Sequence, residues 1–396
     1  MDLNFGPEYA QLRADLRGFL SAAWPVSTAD RAAAVVFRKD AAEHGYLYPS
    51  YPREYGGGGR PVDPLRAHVI REEFAAVGAP REAPGNGPTM LVPTLLVHGT
   101  DWQKEAFILK ALSGETLWCQ GYSEPDAGSD LASLRTRAVL RDGEWVITGQ
   151  KIWTTLAHQA DYMFLLARTE LDEKRHRGLS YLLLDMRQPG VEVRPIRQIT
   201  GTSDFNEVFL NEARTPADWI VGERGKGWEV SKTTLVFERN TVGGAERSVA
   251  LFDSLVKLAR RTERDGRPAL EDELVRDRLA TIHGMVQAQL YSGYLQLTRS
   301  LDRREPGPVA LMNKLATTTI AERVAELALD LVGVDALLAP TGGVPGVRPG
   351  NERWMFQYLG SIGLSFGGGT SNIQRNIIAE RGYGLPRDPY PAGVRS

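Results

Sequence analysis

Residues 143–155 read GEWVITGQKIWTT, and this stretch identifies the middle of the chain as β structure. Its β-branched and aromatic residues lie beside glycine turns, as is typical of strands. Runs of the same kind follow it: DYMFLLARTE (161–170), LSYLLLDM (179–186), VEVRPI (191–196) and NEVFLNEA (206–213). Helical patterns are nearly absent from about residue 117 to about residue 219. The pattern predicts a compact β domain of barrel or sandwich type.

Helical patterns occupy both sides of this β domain. On the N-terminal side, residues 7–23 and 64–79 carry apolar residues at helical spacing, and a glycine-rich segment separates them. On the C-terminal side, three long runs with apolar stripes cover residues 228–266, 270–305 and 308–333. Helices of this length with an apolar stripe pack as an antiparallel bundle.

The order helix, strand, helix predicts an α+β protein of three domains. We place an N-terminal all-α domain at residues 1–115, a central barrel-like β domain at 116–222 and a C-terminal domain like a four-helix bundle at 223–396. A chain of 396 residues exceeds the size at which one hydrophobic core keeps growing. Several packed domains are therefore expected from length as well as from pattern.

Composition limits the class of protein. The chain is 42% hydrophobic and 24% charged, as in ordinary globular proteins, and its formal net charge is -2. That charge gives no electrostatic reason to expect binding to nucleic acid or to an anionic membrane surface. No apolar run reaches the roughly 18 residues of a membrane span, and the N-terminus lacks the pattern of a signal peptide. A cytoplasmic enzyme is expected.

Cysteine and histidine usage argues against disulfides and metals. The single cysteine, Cys119, excludes an internal disulfide and fits a reducing compartment. No histidine or basic residue adjoins it, so we expect a small buried residue rather than a nucleophile. The six histidines show no HxxxH spacing, and the sequence has no CxxC. We therefore expect no metal site.

The segment YSEPDAGSDL, residues 122–131, is the first motif with chemical potential. Serine, proline, aspartate and glycine cluster wherever chains turn, so an ordinary loop is one interpretation. The other is an anion cradle, because the backbone N–H groups of Gly128 and Ser129 and the serine hydroxyl can bind a phosphate oxygen. Composition alone leaves both open.

The segment GQKIWTT, residues 149–155, is the second. Trp153 can lay its ring against a flat ligand while the hydroxyl of Thr155 reaches the ligand's polar rim. Core packing is the commoner role of such a tryptophan, and it stays open as the alternative.

The two motifs, in this order inside a β domain flanked by helical domains, resemble the acyl-CoA dehydrogenase family. Two further segments, FNEVFLNEARTPADWIVGERGKGW (205–228) and GTSNIQRNIIAERGYGLPR (369–387), extend the resemblance over essentially the whole chain. It implies FAD as cofactor and the α,β-dehydrogenation of an acyl-CoA thioester to a trans-2-enoyl-CoA. It also implies that an electron-transferring flavoprotein takes the electrons.

The resemblance assigns cofactor contacts to both motifs and to a segment near the end of the chain. Ser123 matches the hydroxyl on the polar side of the flavin ring, with the backbone of Tyr122 beside it, and Ser129 matches the serine near the pyrophosphate. The remaining implied contacts are Trp153 beside the isoalloxazine, Thr155 near its reactive nitrogen, and Thr370 and Asn372 from the last helix.

The resemblance also raises the question of the catalytic base. Many members carry a glutamate immediately before the GT that opens the last segment, but this chain has Gly368 there. A second group, similar to isovaleryl-CoA and long-chain dehydrogenases, carries the base on the first long C-terminal helix, directly before an arginine. Glu238 precedes Arg239 at that place.

Glu238 is therefore the expected base. The sequence LVF before it indicates apolar surroundings, which suit a carboxylate that has to take up a proton, although an ER pair on a helix is more often a solvated face. The backbone N–H of Gly368 is still expected to polarise the thioester carbonyl, since this contact needs no side chain. Arg239 is expected to support the segment around Gly368.

Departures from the family pattern affect the expected oligomer. In homotetrameric members, residues at four positions hold the FAD of the partner subunit. At these positions this chain has different residues, namely Thr262, Asp265, Asp330 and Val334. An aspartate facing a pyrophosphate is repulsive, unless Arg261 or Arg264 compensates. The pattern resembles actinobacterial enzymes built from two different chains, which act on bulky thioesters such as those from steroids.

Several alternatives stay open at this point. The oligomer is either a homotetramer or a heterotetramer with a second acyl-CoA dehydrogenase chain. The chain is an active dehydrogenase, an enzyme like an acyl-CoA oxidase, or a non-catalytic subunit that completes another chain's site.

Overall fold

The structure of the chain is a computed structural model, and it describes residues 6–24, 31–170, 173, 175–242, 245–264, 266–302, 304, 307–337 and 352–387. The chain divides into two compact units. The first consists of residues 1–197 and 203–237, and the second of residues 198–202 and 238–396.

The first unit begins with a helical part. Its helices are α1 (Pro7–Ala23), α2 (Arg31–Glu43), α3 (Pro64–Val77), α4 (Val92–His98) and α5 (Asp101–Ser113). The two helices predicted from periodicity, α1 and α3, are confirmed. Asp63 caps the start of α3 by accepting a hydrogen bond from Arg66 N at 2.9 Å, and Gly78, in the left-handed conformation, follows its end. Leucines of α1 pack with Ile70 and Phe74 of α3 in one apolar cluster.

An ionic cluster joins α1 to α3. Arg13 bonds to Glu72 and, at 2.7 Å, to Glu73, and Arg17 bonds to Glu73 at 2.8 Å. His68 Nε2 lies 3.1 Å from a carboxylate oxygen of Glu72. The hydrogen bond with His68, followed by that from Arg13, lowers the pKa of Glu72 to about 2 despite its partial burial.

This pKa predicts an acid-dependent contribution of Glu72. Because the folded pKa lies below the unfolded value of 4.5, the carboxylate stabilises the fold above about pH 4.5, and the gain is lost as the pH falls toward 2. The gain should be about 1 kcal/mol or less, since the cluster is half exposed. In urea unfolding between pH 3 and pH 7, the difference in the free energy of unfolding between wild type and Glu72→Gln should become smaller toward low pH. Glu54→Gln, at an exposed position, is the control. If wild type and Glu72→Gln differ in the free energy of unfolding by the same amount at every pH, the prediction is contradicted.

The β part of the first unit is one mixed sheet. Its strands are β1 (Trp118–Gly121), β2 (Arg137–Arg141), β3 (Glu144–Thr155), β4 (Tyr162–Arg168), β5 (Leu179–Asp185), β6 (Val191–Ile196), β7 (Phe205–Pro216) and β8 (Ile220–Val221). They are ordered β6-β7-β3-β2-β4-β5-β8, and β1 pairs with β4 in parallel. The strands predicted from the sequence are confirmed, and VEVRPI matches β6 residue for residue.

Two apolar clusters stabilise this sheet. One combines Phe164 and Tyr181 of the sheet with Leu91 and Ile108 of the helical part. The other fills the opposite side with residues of neighbouring strands, among them Met163, Leu182 and Val208. Cys119 is fully buried in this second cluster, as expected, and burial raises the pKa of its thiol.

The second unit is mainly helical, and it includes the last residues of helix α6 (Gly227–Val242), whose residues up to Phe237 belong to the first unit. Its further helices are α7 (Ala245–Arg261), α8 (Glu273–Leu301), α9 (Pro308–Val332), α10 (Glu352–Leu364) and α11 (Ser371–Ile377). Aliphatic residues of α7, α8 and α9 form its core. Within the described residues, no helix is long and apolar enough to cross a membrane.

One helix prediction was wrong in detail. Residues 228–266, expected to run as one helix, form α6 and α7. Helix α7 ends at Arg261, because the chain then turns through a short hairpin of β9 (Glu263–Arg264) and β10 (Arg267–Pro268), with Gly266 at a φ of 76°. The expected α+β class with a central β domain is confirmed, while the boundaries proposed at residues 115 and 222 stay predictions.

Candidate active site

The first motif folds as a tight turn held against the second. Glu124 and Ala127 exchange two backbone hydrogen bonds of 3.0 Å, which closes the turn. Ile152 N donates to Ser123 O at 2.9 Å and ties the turn to β3. The two segments identified in the sequence therefore lie side by side.

Tyr122 is fixed by its ring. The side chain is buried, and its ring packs edge to face against Phe164 and Tyr181 at centroid distances of 6.0 Å and 6.3 Å. The ring therefore fixes the position of Tyr122 next to the half-buried Ser123. This arrangement agrees with the backbone role expected for Tyr122, which stays a prediction.

A buried ion pair lies beneath the turn. Lys151 is 0% exposed, and its Nζ donates to Glu124 Oε1 at 2.8 Å and to Tyr122 O at 3.2 Å. The carboxylate of Glu124 also accepts from the backbone N–H of Arg135 at 2.6 Å and of Thr136 at 2.9 Å. The pair thus joins β3 to both ends of the segment that contains the first motif.

Both members of the pair have shifted pKa values. Burial lowers the pKa of Lys151, and the carboxylate of Glu124 opposes that shift in part. Burial would raise the pKa of Glu124, but the charge of Lys151 and the hydrogen bonds to the carboxylate hold it below its usual value. The sequence interpretation assigned no role to either residue.

Trp153 lies on a β-bulge. In the pairing of β3 with β7, Lys151 stands opposite Val208 and Thr154 opposite Asn206, so Ile152 and Trp153 together face a single residue. Trp153 has a φ of 61° and its side chain is 57% exposed. A left-handed conformation is uncommon for a bulky residue and tends to occur at functional sites.

The exposed indole argues against one of the two roles considered for Trp153, and its role beside a flavin stays a prediction. The core-packing alternative is wrong, since the ring contacts Phe205 edge to face at 6.2 Å and is otherwise largely open. Asn206 anchors the end of the strand by donating from Nδ2 to Thr154 O at 2.9 Å. An aromatic face beside the half-buried hydroxyl of Thr155 suits a flat ligand with a polar rim.

Gly128 and Ser129 are both exposed at the far side of the turn. A Cβ on Gly128 would meet nothing within 4 Å. Their backbone N–H groups donate to none of the residues that the structure describes, so they are available to an anion. The role of Ser129 beside a pyrophosphate stays a prediction.

The predicted residues near the end of the chain lie in the second unit. Gly368 and Gly369 have φ values of 65° and 89°, which explains why glycine stands at both positions. Thr370 caps α11 by accepting from Ile373 N at 3.3 Å, and the exposed Asn372 accepts from Arg375 at 3.1 Å. Their contacts with a cofactor stay predictions.

The expected base, Glu238, lies on α6. The backbone of Glu238 and Arg239 is helical, and their side chains lie outside the part of the chain that is described. Both roles stay predictions. The same holds for Asp265, which is not among the described residues.

One of the four positions that differ from homotetrameric members makes a contact within the chain. Asp330 forms an ion pair with Arg278, so its charge is compensated internally. Val334 is exposed, and Arg264 lies 3.7 Å from the carboxylate of Asp272. The internal pairing of Asp330 weakens the argument that this residue must repel a pyrophosphate.

Comparison with known proteins assigns the family. Sequence models for the N-terminal, middle and C-terminal domains of acyl-CoA dehydrogenases match residues 6–115, 119–213 and 225–383. The chain belongs to the acyl-CoA dehydrogenase family. The acyl-CoA dehydrogenase IpdE1 of Mycobacterium tuberculosis is 42% identical over 88% of this chain and 86% of its own. Acyl-CoA dehydrogenase FadE29 of the same species is 31% identical over 98% of this chain and 100% of its own.

Solved structures of the family are similar over nearly the whole chain. The Tcur3481-Tcur3483 steroid acyl-CoA dehydrogenase has a TM-score of 0.79 at 28% identity and covers 98% of this chain and 100% of that one. The ChsE4-ChsE5 complex from Mycobacterium tuberculosis gives the same values. The expected enzyme class is confirmed: this acyl-CoA dehydrogenase is a flavoprotein oxidoreductase acting on CH–CH bonds.

Proposed function

We propose that this acyl-CoA dehydrogenase uses FAD to convert an acyl-CoA thioester to a trans-2-enoyl-CoA and passes the electrons to an electron-transferring flavoprotein. The observation that carries the proposal is the exposed Trp153, which lies in a left-handed bulge two residues before Thr155. The residue before it, Ile152, donates its backbone N–H to Ser123 O. Bound FAD supplies the acceptor for the hydride that leaves the β-carbon.

The donor set of the chain fits FAD. The indole of Trp153 offers a flat face, and the hydroxyls of Ser123 and Thr155 offer polar contacts to the edge of a heteroaromatic ring. The N–H groups of Gly128 and Ser129, which donate to none of the described residues, suit a pyrophosphate. Thr370 and Asn372 complete the proposed set of contacts.

The chain itself supplies acid-base chemistry and positioning. Glu238 is proposed to take the α-proton, whose removal needs a base close to the thioester. The backbone N–H of Gly368, which donates to none of the described residues, is proposed to bond the thioester carbonyl and stabilise the charge that develops there. Arg239 is proposed to support this arrangement.

Two more specific proposals concern the substrate and the oligomeric assembly. A ring-bearing thioester and a two-chain heterotetramer gain support from the similarity to the steroid enzyme Tcur3481-Tcur3483 and to the ChsE4-ChsE5 complex. A homotetramer is the alternative, and the internal ion pair of Asp330 keeps it open. The replaced residues Thr262 and Val334 favour the second candidate function, a half-site subunit that is active only with its partner. The single cysteine favours a cytoplasmic location.

A panel of thioesters tests the proposal. The purified chain is assayed with butanoyl-CoA, octanoyl-CoA, cyclohexanecarbonyl-CoA and a CoA thioester of a steroid side chain, with ferrocenium as electron acceptor. Enoyl-CoA formation with bound FAD supports the proposal. A FAD-loaded chain that oxidises none of them contradicts it and favours the half-site function. Hydrogen peroxide formed under air identifies an oxidase. A homotetramer with one FAD per chain rejects the two-chain assembly.

A further inference from the structure

The glycine turn before α11 is held by two buried side chains. Lys314 of α9 is 2% exposed, and its Nζ donates to Gly369 O at 2.8 Å and to Ser365 O at 3.4 Å. Gln374 of α11 is also 2% exposed, and its Nε2 donates to Gly368 O at 2.9 Å. Three carbonyl groups around Gly368 are thus bonded from the interior of the second unit.

These contacts set the direction of two N–H groups in the turn, those of Gly369 and Thr370. A trans peptide is planar, so its N–H points away from its C=O. The bonds to Gly368 O and Gly369 O therefore direct the N–H groups of Gly369 and Thr370 away from Gln374 and Lys314. The N–H groups of residues 368–370 donate to nothing within the described part of the chain. Three consecutive donors are left for a ligand.

A buried ammonium group is not needed to close this turn. The turn is already closed by Ser371 N, which donates to Ser365 O at 3.1 Å, and by the cap of Thr370 on α11. Burial of a charge is unfavourable unless it is well bonded, so the two carbonyl groups of the turn help to hold Lys314 in the interior. A cationic donor makes a stronger hydrogen bond than a neutral one and polarises the peptide whose carbonyl it binds.

We propose that Lys314, together with Gln374, is a positioning residue for the dehydrogenation. The two side chains fix the turn at residues 368–370 so that its backbone N–H groups bond the carbonyl oxygen of the acyl thioester. This inference rests on the proposed function. Lys314 acts through the backbone of Gly369 and touches neither substrate nor cofactor in this account.

Lys314→Met and Gln374→Met test the inference in the FAD-loaded enzyme, with the thioester of the panel above that wild type oxidises fastest. We expect kcat to fall by about 10- to 100-fold with little change in KM, because the bond to the thioester oxygen strengthens as charge develops in the transition state. The second readout is the infrared carbonyl stretch of the bound enoyl-CoA product, labelled with ¹³C at the carbonyl. In both variants it should lie closer to the value of the free thioester than in wild type.

Thr318→Val is the matched control. Thr318 is buried on the same helix, and among the described residues its hydroxyl donates to Lys314 O at 3.1 Å and Leu315 O at 2.9 Å, both on its own helix. In this variant kcat and the carbonyl stretch should therefore stay near the wild-type values. If Lys314→Met does not fold, Gln374→Met decides. An active wild type with unchanged variants overturns the inference alone, whereas a wild type that oxidises no thioester overturns the proposed function as well.

Discussion

The FAD-loaded Glu238→Gln enzyme is expected to oxidise acyl-CoA about 10²- to 10⁴-fold more slowly than wild type, which is the usual contribution of a general base. Glutamine keeps the shape of the side chain but cannot accept the α-proton. Binding of FAD and of the thioester should change little, since neither depends on proton transfer. The measurements are the steady-state rate with ferrocenium, the flavin absorbance per chain and a titration of thioester binding.

Glu229→Gln is the matched control on the same helix. Glu229 is exposed and pairs with Lys232 at 3.3 Å, so the same change of charge there should leave kcat unaffected. If Glu238→Gln retains wild-type turnover with FAD bound, Glu238 is not the base and the half-site function gains support. If both variants lose activity together, the effect comes from the charge of the helix rather than from a base.

Local signals in the sequence account for most of the fold. Helix α3 (Pro64–Val77) lies within the run of residues 64–79 whose apolar spacing predicted a helix, because helical periodicity is a local property of the sequence. Strand β6 was predicted residue for residue from its β-branched composition. The candidate residues of the two motifs were also found from the sequence, and the structure places both motifs side by side.

The surroundings of those residues were not predictable in this way. The exposure of Trp153 depends on the register shift between Lys151 and Thr154, which breaks the alternation of inward and outward side chains. The partner of the buried Lys151 is Glu124, which lies 27 residues earlier in the chain. Lys314 bonds to a carbonyl 55 residues away, and no local pattern on α9 indicates that partner. Such contacts arise from tertiary packing, which a single sequence does not display.

Lys151→Met is expected to lower the free energy of unfolding by about 3–5 kcal/mol, the usual effect of removing one partner of a buried ion pair. The carboxylate of Glu124 would remain buried with only its two backbone N–H bonds. The turn that carries Ser123 would also lose the bond from Lys151 to Tyr122 O, so FAD content should fall. Urea unfolding followed by circular dichroism at pH 7 and the flavin absorbance per chain measure the two effects.

A double-mutant cycle separates the ion pair from ordinary loss of packing. Glu124→Gln combined with Lys151→Met removes both charges, so the double variant should be clearly more stable than the sum of the two single losses predicts. Lys104→Met is the control, because its ion pair with the exposed Asp101 should contribute about 1 kcal/mol or less. A loss for Lys151→Met as small as that of Lys104→Met, or strictly additive losses in the cycle, would show that Lys151 and Glu124 do not hold the two motifs together.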